Sequence, residues 1–356
     1  MKITIKMIHS LSFLFLGLLI ITPQFTQASA LATSFDFRHR YEYTDDDSKS
    51  EKRRRHRIRT RLGAQYSPNE QLKIKIRFAT AEANTTGANQ TLGHDFSLSD
   101  IGMDQLYIDY ALTDNSSIAL GKMSHPFFKP NKSQLLFDRD YNPEGIALSF
   151  NKDKYFGNIG FIKFDESSSK ALNIRGFQIG MSNKISNQTN YKVALAQYNF
   201  DDIKGRPASE ITWNGKIFGN PVDANNNYLN NYNVTNLSAE IKTKLGIDSI
   251  PTTFFMDYAR NSKADEDDSG FQIGSKLTLN DFWRVTYLYK DVEKNAVFGA
   301  LVDSNFGGGG VGHKGHQLNV SYTFSKNISV ELTWFDNKNK MEIDYKKTFL
   351  DLKYNF

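Results

Sequence analysis

From residue 34 to its last residue, the chain alternates apolar and polar side chains with a period of two. The alternating stretches are joined in turn by short turns and longer polar loops. Successive side chains of a β-strand point to opposite faces, so each stretch is a strand with one apolar and one polar face. Residues 55–78 display the pattern most plainly. Arg55, Arg57, Arg59 and Arg61 share one face, and Ile58, Thr60, Leu62, Ala64 and Tyr66 share the other. After a turn at 67–70, Lys73, Lys75 and Arg77 alternate with Leu72, Ile74, Ile76 and Phe78. In a soluble sheet the apolar face would meet a core. In a membrane barrel it meets lipid, and the polar face lines a water-filled lumen. One hairpin does not separate these settings; the whole chain does.

The pattern predicts about sixteen strands, most near the ~9–11 residues that a tilted strand needs to cross a bilayer. The first has Phe35, Phe37, Tyr41 and Tyr43 on its apolar face and Asp36, Arg38, Arg40 and Glu42 on the other. Around 103–112, Leu106, Ile108, Tyr110 and Leu112 face out, and Gln105, Tyr107 and Asp109 face in. Residues 156–164 and 191–200 are apolar on both faces, and their facing stays unassigned. A soluble sandwich has no reason to keep the short–long rhythm of connections throughout. Unpaired strand edges in hydrocarbon cost several kcal/mol per group, so lipid-facing strands must close. The expected fold is all-β: a closed antiparallel transmembrane β-barrel with short periplasmic turns and long outer loops.

Trp283 opens one strand and Trp334 nearly closes another, which places them in opposite aromatic girdles. The final Leu352, Tyr354 and Phe356 resemble the C-terminal signal read by the bacterial barrel-insertion machinery. One residue fits badly: His39 lies on the apolar face, where contact with lipid is costly. A local bulge or a subunit contact would accommodate it.

The first thirty residues read as a secretory leader. Lys2 and Lys6 precede an apolar run at 11–21, too short to span a membrane, and Ala28-Ser29-Ala30 fits a cleavage site after Ala30. Residues 31–356 are then the exported barrel, bound for the bacterial outer membrane. No later stretch approaches the ~18 apolar residues of a membrane helix. Cysteine is absent, which excludes thiolate chemistry and disulfides. The net charge is +5, two of which are Lys2 and Lys6, so the basic character is local and argues against a nucleic-acid partner.

Three blocks extend the argument. The first is Gly93, Asp95, Phe96 and Asp100 with Asp104, Gln105, Tyr107, Asp109 and Tyr110. The second is Gly121-Lys122-Met123 with Pro126-Phe127. The third is 138–140 with Asn142-Pro143-Glu144-Gly145. With the alternating arginines at 55–61, they resemble the putative porin family of Gram-negative bacteria. The second half resembles that family only in its strand pattern. The resemblance implies an outer-membrane pore without naming a solute, embedded in lipid and lipopolysaccharide and expected as a homotrimer.

Segment 124–144 breaks the strand rhythm with Pro126, Pro130 and Pro143. It sits where sixteen-stranded porins carry the loop that narrows the lumen, so the resemblance implies one loop folded into the lumen. Its acids Asp138, Asp140 and Glu144 would face a cationic arc of Arg38, Arg40, Arg55, Arg57, Arg59, Arg61, Lys73, Lys75 and Arg77. Opposed charges across a low-dielectric passage focus the field, and rows of side chains set ion selectivity. The expected function is passive diffusion of small hydrophilic solutes with mild anion preference. In one alternative the arginines pair with Asp36, Glu42 and Asp109 and merely hold the wall. In another the row is a dedicated phosphate or carboxylate channel. An adhesion protein or a barrel hydrolase are further alternatives. For hydrolysis, His94, His125, His313 and His316 could supply a base, but neither Gly-x-Ser-x-Gly nor His-Glu-x-x-His occurs. The glycine-rich run 307–315 lacks a phosphate-loop ending and reads as a flexible outer loop. The acidic runs 45–47 and 265–268 read as solvated loops, with divalent-cation binding near lipopolysaccharide as the alternative. No cofactor, metal centre or catalytic group is expected.

Overall fold

The computed structural model describes residues 30–80, 86–93, 100–165, 171–246, 249–339 and 341–356. The expected leader, apart from Ala30, lies outside these residues, as do His94, Asp95 and Phe96. The strands are β1 (Ala30–Asp46), β2 (Arg53–Ser67), β3 (Leu72–Thr80), β4 (Gln90–Thr91), β5 (Ile101–Thr113) and β6 (Ser116–Lys122). There follow β7 (Glu144–Lys152), β8 (Tyr155–Asp165), β9 (Leu172–Lys184), β10 (Asn190–Phe200), β11 (Asn233–Leu245) and β12 (Ile250–Asn261). The last are β13 (Ser269–Thr278), β14 (Trp283–Val292), β15 (His313–Thr323), β16 (Ile328–Asn339) and β17 (Asp344–Asn355). They make one 17-stranded sheet in which every ladder is antiparallel. β4 is a two-residue strand that takes over pairing with β2 beyond the end of β3. The other strands form a closed 16-strand barrel.

Closure is made by the two ends of the chain. β1 pairs with β2 on one side and with β17 on the other. Phe35 and Phe356 exchange both backbone hydrogen bonds at 3.0 Å. Leu352, Tyr354 and Phe356 stay exposed on the outer surface, as the alternation requires. The register of β1 runs without a break past His39 on both sides, so of the two accommodations offered for it the bulge is absent. His39 Nε2 instead lies 3.3 Å from Nδ1 of His56 on the same outward surface, with the rings stacked. Trp283 and Trp334 are also exposed outward. Trp283 packs 4.7 Å from Tyr322, which in turn meets Phe324 at 4.7 Å, beside the short turns.

The structure explains the two strands with no clear facing. In β8, Ile159 and Phe161 face out while Phe156 and Ile162 are buried; in β10, Leu195 faces out while Ala194, Ala196, Tyr198 and Phe200 are buried. Their inner faces are apolar because the lumen here holds packed loops rather than water. Phe127, from the loop between β6 and β7 (123–143), meets Tyr198 edge-on at 5.0 Å, and Phe128 meets Phe156 at 5.9 Å. Phe298, in the loop between β14 and β15, contacts Phe200, Tyr228 and Tyr232. The glycine-rich run, expected to be a loose outer loop, belongs to this filling. Phe306 and Val311 are 1% exposed, and a Cβ on Gly310 would lie 2.1 Å from the Phe218 carbonyl oxygen. Gly310 has φ +85°, so only glycine fits there without strain.

Gly176 and Gly160 make room for the Phe127 ring. A Cβ on Gly176 would come within 2.3 Å of it. Gly176→Val should therefore cost about 1–3 kcal/mol by overpacking and push the 123–143 loop off the wall. The expected readings are a lower melting temperature in detergent and a larger, noisier single-channel conductance. The outward Leu195→Val should change neither.

Candidate functional site

The register sets like charges side by side on the inner face of β1 and β2. Arg38 lies directly opposite Arg59, and Arg40 opposite Arg57; on its other side Arg38 faces Lys353. Such pairs repel, and neighbouring carboxylates relieve them: Asp36 stands diagonal to Arg59, Glu42 directly opposite Arg55 and Asp351 directly opposite Arg40. Arg59 forks onto Asp36 at 2.8 and 3.0 Å, Arg55 binds Glu42 at 2.8 Å, and Arg40 forks onto Asp351 at 2.7 and 2.8 Å. The Arg40 guanidinium also lies 3.6 Å from the Phe349 ring centroid. Arg77 binds Asp104 at 2.6 Å, and Lys75 stands 3.8 Å from Asp109. Asn89, ahead of β4, closes the outer end: its side-chain oxygen accepts from Arg38 and its carbonyl from Arg57. The partners Asp36, Glu42 and Asp109 are the ones the wall-holding alternative named.

The 123–143 loop crosses the lumen and docks on this arc. Asp140 accepts from Arg61 at 2.7 Å and lies 3.6 Å from Arg59. Asn142 donates to Asp104 at 2.6 Å and accepts from Gln105 at 2.7 Å. At its other end the loop reaches β9 and β11: the Phe128 N–H donates to Gln178, and the Asn131 N–H to Glu240. The loop's acids therefore do not stand across a passage from the arginines; Asp140 is bonded to them. Asp138 is buried behind it and accepts from the N–H groups of Asp140 and Ser304 at 2.7 and 3.0 Å. Burial, with Asp140 and Asp303 nearby, pushes the Asp138 carboxyl up to about 7. Burial acts on Asp140 in the same direction, but Arg61, Arg59 and Arg38 overcome it and hold that carboxyl below the usual range. Glu144 is not part of this group. It shares the outward parity of Ile146 and Leu148 at the start of β7 and pairs with Lys122 at 2.6 Å. The expectation that it lines the constriction is corrected, because the strand begins at Glu144 and parity turns it out.

The charges that the loop does expose are basic, Lys132 and Arg139. On the far wall, Lys242, Lys276 and Arg284 carry the inward parity of their strands, and Glu240 is the carboxylate beside them, 3.0 Å from Lys242. The loop between β14 and β15 is anchored by a buried ion pair, Lys290 to Asp303 at 2.8 Å, and by the Asp138 N–H, which donates to the Leu301 carbonyl at 2.7 Å.

Sequence reasoning missed several members of this network. Asp351 and Lys347, the latter 4.0 Å from Glu42, alternate with outward residues of the last strand, and that parity could have found them. Asp104 could not have been found so: a bulge between Arg77 and Phe78 turns it in beside Gln105. Asn89 carried no periodic signal. Lys73 lies on the arc's face near the short turn after β2 and is exposed. The histidines are dispersed. His125 is buried among Phe127, Phe137 and Tyr141, and burial drives its imidazole well below the ordinary value. His313 bonds the Gly309 carbonyl at 3.0 Å, and the outward His316 bonds the Tyr287 hydroxyl at 2.7 Å. Among the described residues, no cluster of His, Asp and Glu has metal-site geometry. Of the acidic runs, Asp45 pairs with Lys52, Asp267 with Lys294 and Asp268 with Arg260.

The family described as "Putative porin" matches residues 24–231 and 222–356. Solved structures align over nearly the whole chain at low identity. A Pseudomonas putida OprB structure at high pH has a TM-score of 0.60 at 10% identity, covering 92% of this chain and 94% of that one. Salmonella typhi OmpF in complex with daunomycin has 0.57 at 10%, covering 92% and 97%. A triple mutant of the Rhodopseudomonas blastica porin has 0.54 at 10%, covering 92% and 100%. These likenesses are of fold. No curated protein sequence matches the chain.

Because folding raises the Asp138 carboxyl, its contribution to stability is complete below the unfolded value near 3.8 and is lost as pH rises through about 7. Asp138→Asn should melt above the unaltered protein by a margin that widens, on the order of 5 °C, between pH 5 and pH 8. A margin independent of pH would contradict this placement.

Proposed function

The chain belongs to the putative porin family, and on that premise we propose that this porin-like outer-membrane channel passes small hydrophilic solutes by passive diffusion and prefers anions. The observation that carries the preference is the sign of the charges left without a carboxylate. The acids that face the arc, Asp36, Glu42, Asp104, Asp140 and Asp351, are bonded to it, and its bases outnumber them. Among the described residues, the bases without a carboxylate partner include Lys132 and Arg139 on the crossing loop and Lys276 and Arg284 on the far wall. A fixed excess of one sign in a passage with low-dielectric walls raises the local concentration of the opposite ion.

The pairing also favours diffusion over a dedicated channel. Arg40, Arg55, Arg59, Arg61 and Arg77 each hold a carboxylate, so an anion moving along the row would have to displace one at every step. Arginine forks of this kind are strong, and they suit a wall that shapes a field. The outward His39–His56 pair beside the β1–β17 seam supports a subunit contact there and with it a homotrimer. The exposed Leu352, Tyr354 and Phe356 support delivery by the barrel-insertion machinery after removal of residues 1–30.

In planar bilayers the protein should give open, stepwise conductances whose reversal potential in a KCl gradient favours chloride. Lys132→Glu with Arg139→Glu should lower the anion-to-cation permeability ratio about twofold or more. Silence, or cation preference in the unaltered protein, would contradict the reading.

A further inference from the structure

The far wall carries more than an excess of charge. Lys242 of β11, Thr253 of β12, Lys276 of β13 and Thr286 of β14 lie in one cross-strand row. Arg284 is the next inward residue of β14 toward the short turn and stands diagonal to Lys276, because Thr278 is its direct partner. Neighbouring strands are about 4.8 Å apart, so the backbones at Lys242 and Lys276 stand about 10 Å apart, with Thr253 between them. Lys132 comes down on this group from the crossing loop, within electrostatic reach of Lys276 together with Lys242 and Arg284. Glu240, one row toward the middle of the lumen, is shared by the Lys242 ammonium at 3.0 Å and the Asn131 N–H at 2.6 Å. Among the described residues neither Lys276, Arg284 nor Lys132 holds a carboxylate. Four bases from three strands and the loop thus converge on one patch at the short-turn end of the lumen, with one acid at its edge.

We infer that this patch binds multivalent oxyanions, solutes carrying two or more phosphate or carboxylate groups, at the periplasmic end of the passage. The chemistry follows from the number of bases that share the patch. Several bases with a single acid at their edge are matched better by a solute that carries several anionic groups, a chain of phosphates or a tricarboxylate, than by one small anion. Ammonium groups act on phosphate as point charges, and the Arg284 fork adds directed hydrogen bonds. Thr253 and Thr286 lie in the same row with hydroxyl donors. A site inside a channel must also release its ligand, and flexible lysines on an accessible wall hold it less firmly than the interlocked arginines of β1 and β2 would. The inference rests on the diffusion-pore reading and names the solute class that lingers in the pore.

The test is current block. Sodium tripolyphosphate, and separately citrate, is added to each side in turn of a bilayer containing the full-length mature protein in KCl. Both should block the chloride current at millimolar concentration, and equal charge supplied as sulfate should block far less. Lys276→Gln with Arg284→Gln should weaken the block about tenfold or more, the loss of one to two charge-assisted hydrogen bonds. Lys49→Gln, on an outer loop, should leave it unchanged. Heat-modifiable migration on electrophoresis checks that each variant is a folded barrel. Block that the double variant does not weaken, or block relieved by Arg57→Gln instead, overturns the site. Absence of block with normal conductance also overturns it while leaving the pore reading intact; absence of any conductance defeats the pore reading itself.

Discussion

The structure depends on guanidinium groups held together by carboxylates inside a closed barrel. Once β1 and β2 pair in register, Arg38 meets Arg59 and Arg40 meets Arg57, whether or not that is favourable. The repulsion is tolerable because Asp36 falls diagonal to Arg59, Glu42 and Asp351 fall opposite Arg55 and Arg40, and the crossing loop delivers Asp140 to Arg61. Removing one partner from a buried pair of this kind typically costs about 3–5 kcal/mol. The arc therefore does two things at once. It closes the seam between the first and last strands through Arg40–Asp351, and it fixes where the loop crosses the lumen through Arg61–Asp140.

The second half of the barrel solves a different problem. There the loop's Phe127 and Phe128, the loop at 201–232 and the loop around Phe298 build an apolar core inside a barrel that is also apolar outside. The core seats one end of the crossing loop as the arginines seat the other. Between the two supports the loop's acids are used up and its bases, Lys132 and Arg139, remain exposed. The proposed selectivity is a remainder of this kind. Anchoring the loop consumes negative charge, and what is left in the passage is positive.

The fold was legible because lipid on one side and lumen on the other impose the alternation on every strand, and because closure demands an even, unbroken set. The arginine face and the terminal aromatic strand followed from the same alternation; the crossing segment stood out by breaking it and was placed in the lumen by the resemblance to porins. The failures have physical causes. Residues 156–164 and 191–200 gave no facing because their inner sides meet packed rings instead of water. Glu144 was assigned to the lumen although the strand had already begun and parity turned it outward. Asp104 was hidden by a bulge that breaks parity. The glycine run at 307–315 looked loose, whereas its positive φ angles and close backbone approaches build a tight fold-back onto Phe218. Periodicity reports the strands; it does not report which loops return to fill the space between them.

The account is tested most directly by a double-mutant cycle on the pair that ties loop to wall. Arg61→Ala, Asp140→Ala and the double variant are compared with the unaltered protein by melting in detergent. A coupling energy of about 1–3 kcal/mol is expected, the double variant losing less than the two single losses together. Strictly additive losses would mean that Arg61 and Asp140 do not hold the loop across the lumen, and the derivation of the leftover positive charge would fail with them.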